Sequence, residues 1–114
     1  MARERQAKER ALERDVLDAL NREPGVLAIK YDPTAGYVPG VGRMRQSKFV
    51  LSGVADCLIW KAPGKFMAIE LKIPEERENT SLAQRGFMFR MRKLGHRAEV
   101  ATSVDEAVTL VRKL

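Results

Sequence analysis

Residues 53–72 read GVADCLIWKAPGKFMAIELK. Two apolar runs, Gly53–Trp60 and Lys65–Lys72, flank Ala62-Pro63-Gly64. Apolar stretches about a proline–glycine turn predict a β-hairpin. Both runs are apolar at nearly every position, which places them at the centre of a sheet covered on both faces. Three ionisable residues break the pattern: Asp56 in the first run, Glu70 and Lys72 in the second. Strand alternation puts Ala68, Glu70 and Lys72 on one face and Met67, Ile69 and Leu71 on the other. A hairpin turning near Pro63-Gly64 brings Asp56 opposite residues 70 to 72, so two carboxylates and one ammonium meet at one end of the sheet.

Upstream, Ala11, Leu12, Val16 and Leu20 recur at helical steps and predict a helix from Arg3 to Arg22, stopped by Glu23-Pro24-Gly25. Val26–Tyr31 reads as a short strand. Asp32 to Gly42, rich in glycine and proline, reads as a long loop or small hairpin. Downstream, Ser81 and Gln84 have the spacing of a capping box at the start of a helix reaching Leu94, with Gly95 as its stop. Arg97–Thr102 predicts a last strand, and Ser103 with Glu106 caps a final helix to Leu114. The order α, β, loop, β, β, α, β, α predicts an α/β fold with a mixed sheet between helices.

The chain has 114 residues, 45% hydrophobic and 32% charged, which predicts a single globular domain over residues 1–114 and argues against disordered and low-complexity classes. The net charge of +6 points to nucleic acid as a partner. The excess is uneven. Residues 1–25 balance at six bases and six acids, whereas residues 26–55 hold four bases against one acid. Lys30, Arg43, Arg45 and Lys48, then Arg85, Arg90, Arg92 and Lys93, are the cations expected to meet phosphate, either as a backbone-binding strip or as solvated surface. One cysteine, Cys57, excludes a disulfide framework and fits a reducing cytoplasm. No apolar leader or spanning segment is read, so no membrane partner is expected.

Ionisable groups in a buried strand need partners. A half-buried salt bridge of Lys72 with Asp56 or Glu70 accounts for one carboxylate and leaves the other unpaired. Two carboxylates beside a lysine also suit a hard, oxygen-preferring cation such as Mg²⁺, with the lysine holding a water or neutralising charge on phosphate. Cys57 is out of phase with Asp56 and reads as a core residue. His96 lies far from the cluster and reads as a surface residue.

Asp56, a spacer, then Glu70-x-Lys72 across a hairpin is the pattern of the PD-(D/E)xK nuclease superfamily. With GVAD at 53–56, IELK at 69–72, SLAQ at 81–84, Gly95 and the strand EVATS, the chain resembles the VRR-NUC family, the virus-type replication–repair nucleases, over about residues 9 to 105. Gly36 resembles the family's glycine-rich approach to the catalytic strands. Ala55 stands where the superfamily has proline. The likeness is greatest to small stand-alone members from phages and bacteria.

The resemblance implies a restriction-endonuclease-like core and a Mg²⁺-dependent DNA endonuclease, with Mn²⁺ able to substitute. It implies Asp56, Glu70 and the Leu71 carbonyl as metal ligands and Lys72 as the residue that activates water. Gln84 would support Lys72 or the phosphate, against the plainer reading of a capping-box residue. Glu9 would be an outer ligand from the first helix, with Glu13 its rival and a solvated helix charge the alternative. By analogy, it implies a homodimer cleaving four-way DNA junctions in DNA repair, in the cytoplasm of a bacterium or phage-infected host. The alternatives are a nuclease for flaps or linear ends and a catalytically idle DNA-binding subunit.

Overall fold

The structure is a computed structural model that describes residues 2–32, 37–38, 42–43 and 51–114. The helix α1 (Ala2–Asn21) is followed by β1 (Val26–Lys30), a short pair β2 (Tyr37–Val38) and β3 (Gly42–Arg43), and the hairpin β4 (Cys57–Lys61) and β5 (Lys65–Leu71). A 3-10 turn (Pro74–Glu76) leads to α2 (Leu82–Lys93), β6 (Arg97–Ala101) and α3 (Val104–Arg112).

The main sheet has the order β1-β4-β5-β6, antiparallel except for the parallel pair β5–β6. A parallel pair needs a crossover connection, and α2 provides it. The hairpin strands are central, as their nearly continuous apolar character predicted. Met67, Ala68, Ile69 and Glu70 are buried in succession. One face of the sheet packs Cys57, Ile59, Met67 and Ile69 against Val16 and Leu20 of α1 and Ala107 and Val111 of α3. The other packs Ala68 and Ala98 against Met88 of α2. The sheet is thus sandwiched between helices. Each large aliphatic side chain so buried contributes about 2 kcal/mol.

Two polar devices finish this frame. Lys61 Nζ donates to the carbonyls of Val111, Arg112 and Leu114 at 2.9, 3.1 and 3.3 Å, closing the C-terminus of α3 with a cation. The Asn21 carboxamide accepts from Ala28 N–H at 2.9 Å and donates to Ala28 O at 3.0 Å. It therefore occupies the middle of the open edge of β1 as a neighbouring strand would.

Element boundaries depart from expectation mainly before the hairpin. The expected strand from Gly53 begins only at Cys57. Gly53 takes a left-handed backbone (φ +80°), and Asp56 sits in a bend at the strand entrance. Within the expected loop or small hairpin, the described residues Tyr37–Val38 and Gly42–Arg43 pair antiparallel. Gly36, Arg45 and Lys48 lie outside the described residues, as does the Arg43 side chain. Among the described residues, no helix is long and apolar enough to cross a membrane.

Candidate active site

The register Cys57↔Ile69 continues one step to set Asp56 beside Glu70. Tyr31 N–H donates to the Asp56 carbonyl at 2.8 Å, holding the bend against the end of β1. Asp56 Oδ2 accepts the Leu71 N–H at 2.9 Å. Adjacent N–H and C=O groups of one strand residue share a side, so the Leu71 carbonyl lies on the Asp56 side of β5. The predicted cluster of Asp56, Glu70 and Lys72 is therefore assembled by the hairpin itself.

Gln84 enters from the opposite element. Ser81 Oγ accepts the Gln84 N–H at 3.1 Å and Gln84 Oε1 accepts the Ser81 N–H at 2.9 Å, a complete capping box. The box orients the amide. Its Nε2 then donates to Glu70 Oε1 at 2.9 Å, while Oε1 also accepts from Lys72 Nζ at 3.3 Å. The two readings of Gln84 turn out to be one arrangement, in which the cap aims the side chain at the acid and the lysine.

Gly53 sets how closely the Asp56 bend approaches α2. A Cβ at this position would lie 2.4 Å from both the carbonyl carbon and oxygen of Ala83, the residue before Gln84. Only a glycine tolerates this contact together with its left-handed backbone.

Glu70 is only 3% exposed, yet it lies beside a second carboxylate. Burial, and then the Asp56 charge, push its carboxyl up to about 8. Lys72 Nζ, at 3.9 Å, offsets this only in part. The Cys57 thiol, on the other face of the sheet, is pushed up to about 12, chiefly by burial, so it is no nucleophile.

Asp56, Glu70, Lys72 and Gln84 line a cleft of about 280 Å³ with Glu9, Arg10, Glu13 and Lys30. Both candidate acids of α1 reach it. Glu9 stays half exposed, 3.9 Å from Arg5, whereas Glu13 is held by Lys30 Nζ at 2.9 Å. Lys30, expected among the phosphate-gripping cations, thus stands inside the acidic cleft, and Glu13 raises its ammonium pKa. Sequence reading missed this pair, because only tertiary folding brings the end of β1 against α1. It also missed Arg10, which one turn of helix carries to the same side as Glu13. Arg85 and Arg90 are exposed on α2 outside the cleft, and Arg85 donates to Thr80 O at 3.0 Å. Arg92 is tied to the Ala98 carbonyl at 2.6 and 3.0 Å, where it joins α2 to β6. His96 is exposed against Phe66.

Compared with solved structures, the chain aligns over 92% of its length, and over 95% of the other chain, with a structure titled "VRR_NUC domain", at a TM-score of 0.59 and 21% identity. The fold is that of a VRR_NUC domain. The four-stranded mixed sheet between helices is consistent with that fold. No protein-family profile and no curated protein matches the chain.

Among the described residues, no group of three or more acidic, histidine or cysteine side chains converges. Two carboxylates, Asp56 and Glu70, meet beside the backbone of Leu71 in one cleft. Carboxylate and carbonyl oxygens, with the ionised form of one carboxyl disfavoured by its neighbour, suit a hard divalent cation better than zinc.

Proposed function

We propose that this chain is a metal-dependent nuclease that hydrolyses DNA phosphodiesters in the cleft between α1 and the β4–β5 hairpin. One observation carries the reading. A carboxyl group is buried beside a second carboxylate, at the mouth of a cleft, with a lysine and an amide aimed at it. A structural ion pair needs one carboxylate, not two. The VRR_NUC fold supports the same reading.

Asp56, Glu70 and the Leu71 carbonyl would hold Mg²⁺, or Mn²⁺ in its place. Such an ion supplies Lewis-acid charge towards the scissile phosphate. The remaining work falls to the protein. Lys72 Nζ, 18% exposed and anchored to Gln84 Oε1, holds the attacking water and neutralises charge on the non-bridging oxygens. Gln84 keeps Glu70 facing the cleft. Glu9 or Glu13 would steady water at the far rim from α1.

The substrate we propose first is a four-way DNA junction cleaved by a homodimer, since two-fold symmetry presents two sites to two strands. Asn21 closes the β1 edge, so such a dimer would use another surface. The test is cleavage of four-way junction, flap and linear duplex side by side with Mg²⁺, by the parent chain and by Asp56→Asn, Glu70→Gln and Lys72→Ala. Each variant should lose cleavage while keeping its circular dichroism. Full cleavage in all three overturns the assignment and leaves a DNA-binding subunit. Preference for flaps or ends, or a monomer by light scattering, overturns the junction reading alone.

A further inference from the structure

The outer face of α2 carries features that neither the core nor the cleft uses. Over Leu82–Lys93 the helix has four cations, Arg85, Arg90, Arg92 and Lys93, and no acid. Phe89 is 60% exposed and Leu82 78% exposed. At 3.6 residues per turn, Leu82, Phe89 and Lys93 fall within about 40° of one another, with Arg85 and Arg90 to either side. Lys93 Nζ lies 5.6 Å from the centre of the Phe89 ring.

Gly86 lies on the same stripe, in mid-helix. A Cβ there would meet nothing within 4 Å, and its backbone is not left-handed. The fold gives no reason for this glycine, which costs the helix about 1 kcal/mol relative to alanine. A bare backbone between two exposed apolar side chains leaves a notch one residue wide, and glycine is the residue where a ligand must come close.

We infer that this face of α2 binds a single-stranded nucleic-acid segment, with Phe89 stacking on an unpaired base and Arg85, Arg90 and Lys93 on the flanking phosphates. This deepens the proposed nuclease reading, on which it rests, by naming an unpaired strand as part of the substrate. The absence of acids favours phosphate over a protein partner. An exposed aromatic face needs a base free to leave its stack, which intact duplex does not offer.

The test measures anisotropy of a short fluorescein-labelled deoxyoligonucleotide and of the same sequence as duplex, in EDTA so that no cleavage occurs. Phe89→Ala should weaken single-strand binding about ten-fold or more and duplex binding by less than about two-fold, while Phe89→Trp keeps both. Gly86→Leu, a strong helix former that fills the notch, should weaken single-strand binding without lowering thermal stability. Unchanged single-strand affinity in Phe89→Ala overturns the inference. So does full affinity in Phe89→Leu, which would show apolar bulk and not stacking, or a change confined to self-association in sedimentation. Cleavage with Mg²⁺ is scored separately. A chain that cleaves, but binds single strands independently of Phe89, loses this inference and keeps the nuclease reading. A chain that binds through Phe89 and cleaves nothing does the reverse.

Discussion

Gln84 Nε2 donates to Glu70 Oε1 at 2.9 Å, and the same amide completes the N-cap of α2 with Ser81. One side chain thus links the start of a helix to a buried acid. Ser81→Ala removes half of the cap and leaves the contact with Glu70, whereas Gln84→Ala removes both. Each should cost about 1 kcal/mol in urea denaturation. Only Gln84→Ala should also lower Mg²⁺-dependent cleavage, by about 10- to 100-fold, as expected of a group that orients a ligand. Equal cleavage in the two variants would reduce Gln84 to a capping residue.

Glu70 makes stability depend on pH. Its carboxyl titrates near 8 in the folded chain against an ordinary value of 4.5, because of burial and then the Asp56 charge. Between those values the unfolded chain has released a proton that the folded chain keeps. The stability of metal-free protein should therefore fall as pH rises from about 5 to 8 and then level off. Glu70→Gln should flatten this slope in melts recorded in EDTA. The lowered carboxyls of Glu106, held by Arg77, and Glu23, held by Arg112, act in the opposite sense and only below 4.5.

Gly53→Ala should destabilise the chain more than Gly64→Ala. Both glycines are left-handed, at φ +80° and +62°, so both substitutions carry about 1–2 kcal/mol of backbone strain. Only at Gly53 does the new Cβ also meet backbone, 2.4 Å from Ala83. The excess in chemical denaturation measures that contact, and cleavage should fall with it, because the Asp56 bend must then move away from α2.

Asn21→Ala should cost about 1–2 kcal/mol through its lost bonds to Ala28. It should also raise self-association in sedimentation velocity, since it opens the centre of an edge strand whose Leu27 and Ile29 are already exposed. A variant that is less stable and no stickier would show that the carboxamide only fastens α1.

The hairpin was legible because two long apolar runs about Pro63-Gly64 admit little else, and alternation along β5 then dictates that Glu70 and Lys72 share a face. The helix N-caps were legible too, since Ser81 and Ser103 each accept the backbone N–H three residues on, within one turn. The start of β4 was not. Valine and alanine after Gly53 look like strand, and what turns them out of it is the approach of Ala83, thirty residues away in sequence.

The sequence by itself determined the sheet centre, the helices and the acid pair, because periodicity, turn chemistry and capping are local and act through neighbouring residues. Tertiary structure alone decided that Lys30 faces Glu13 inside the cleft, that Arg92 fastens β6, and that Gln84 serves cap and acid together. Each of these depends on a distance between separate elements, and charge in a sequence carries no direction until packing of the core brings those elements together.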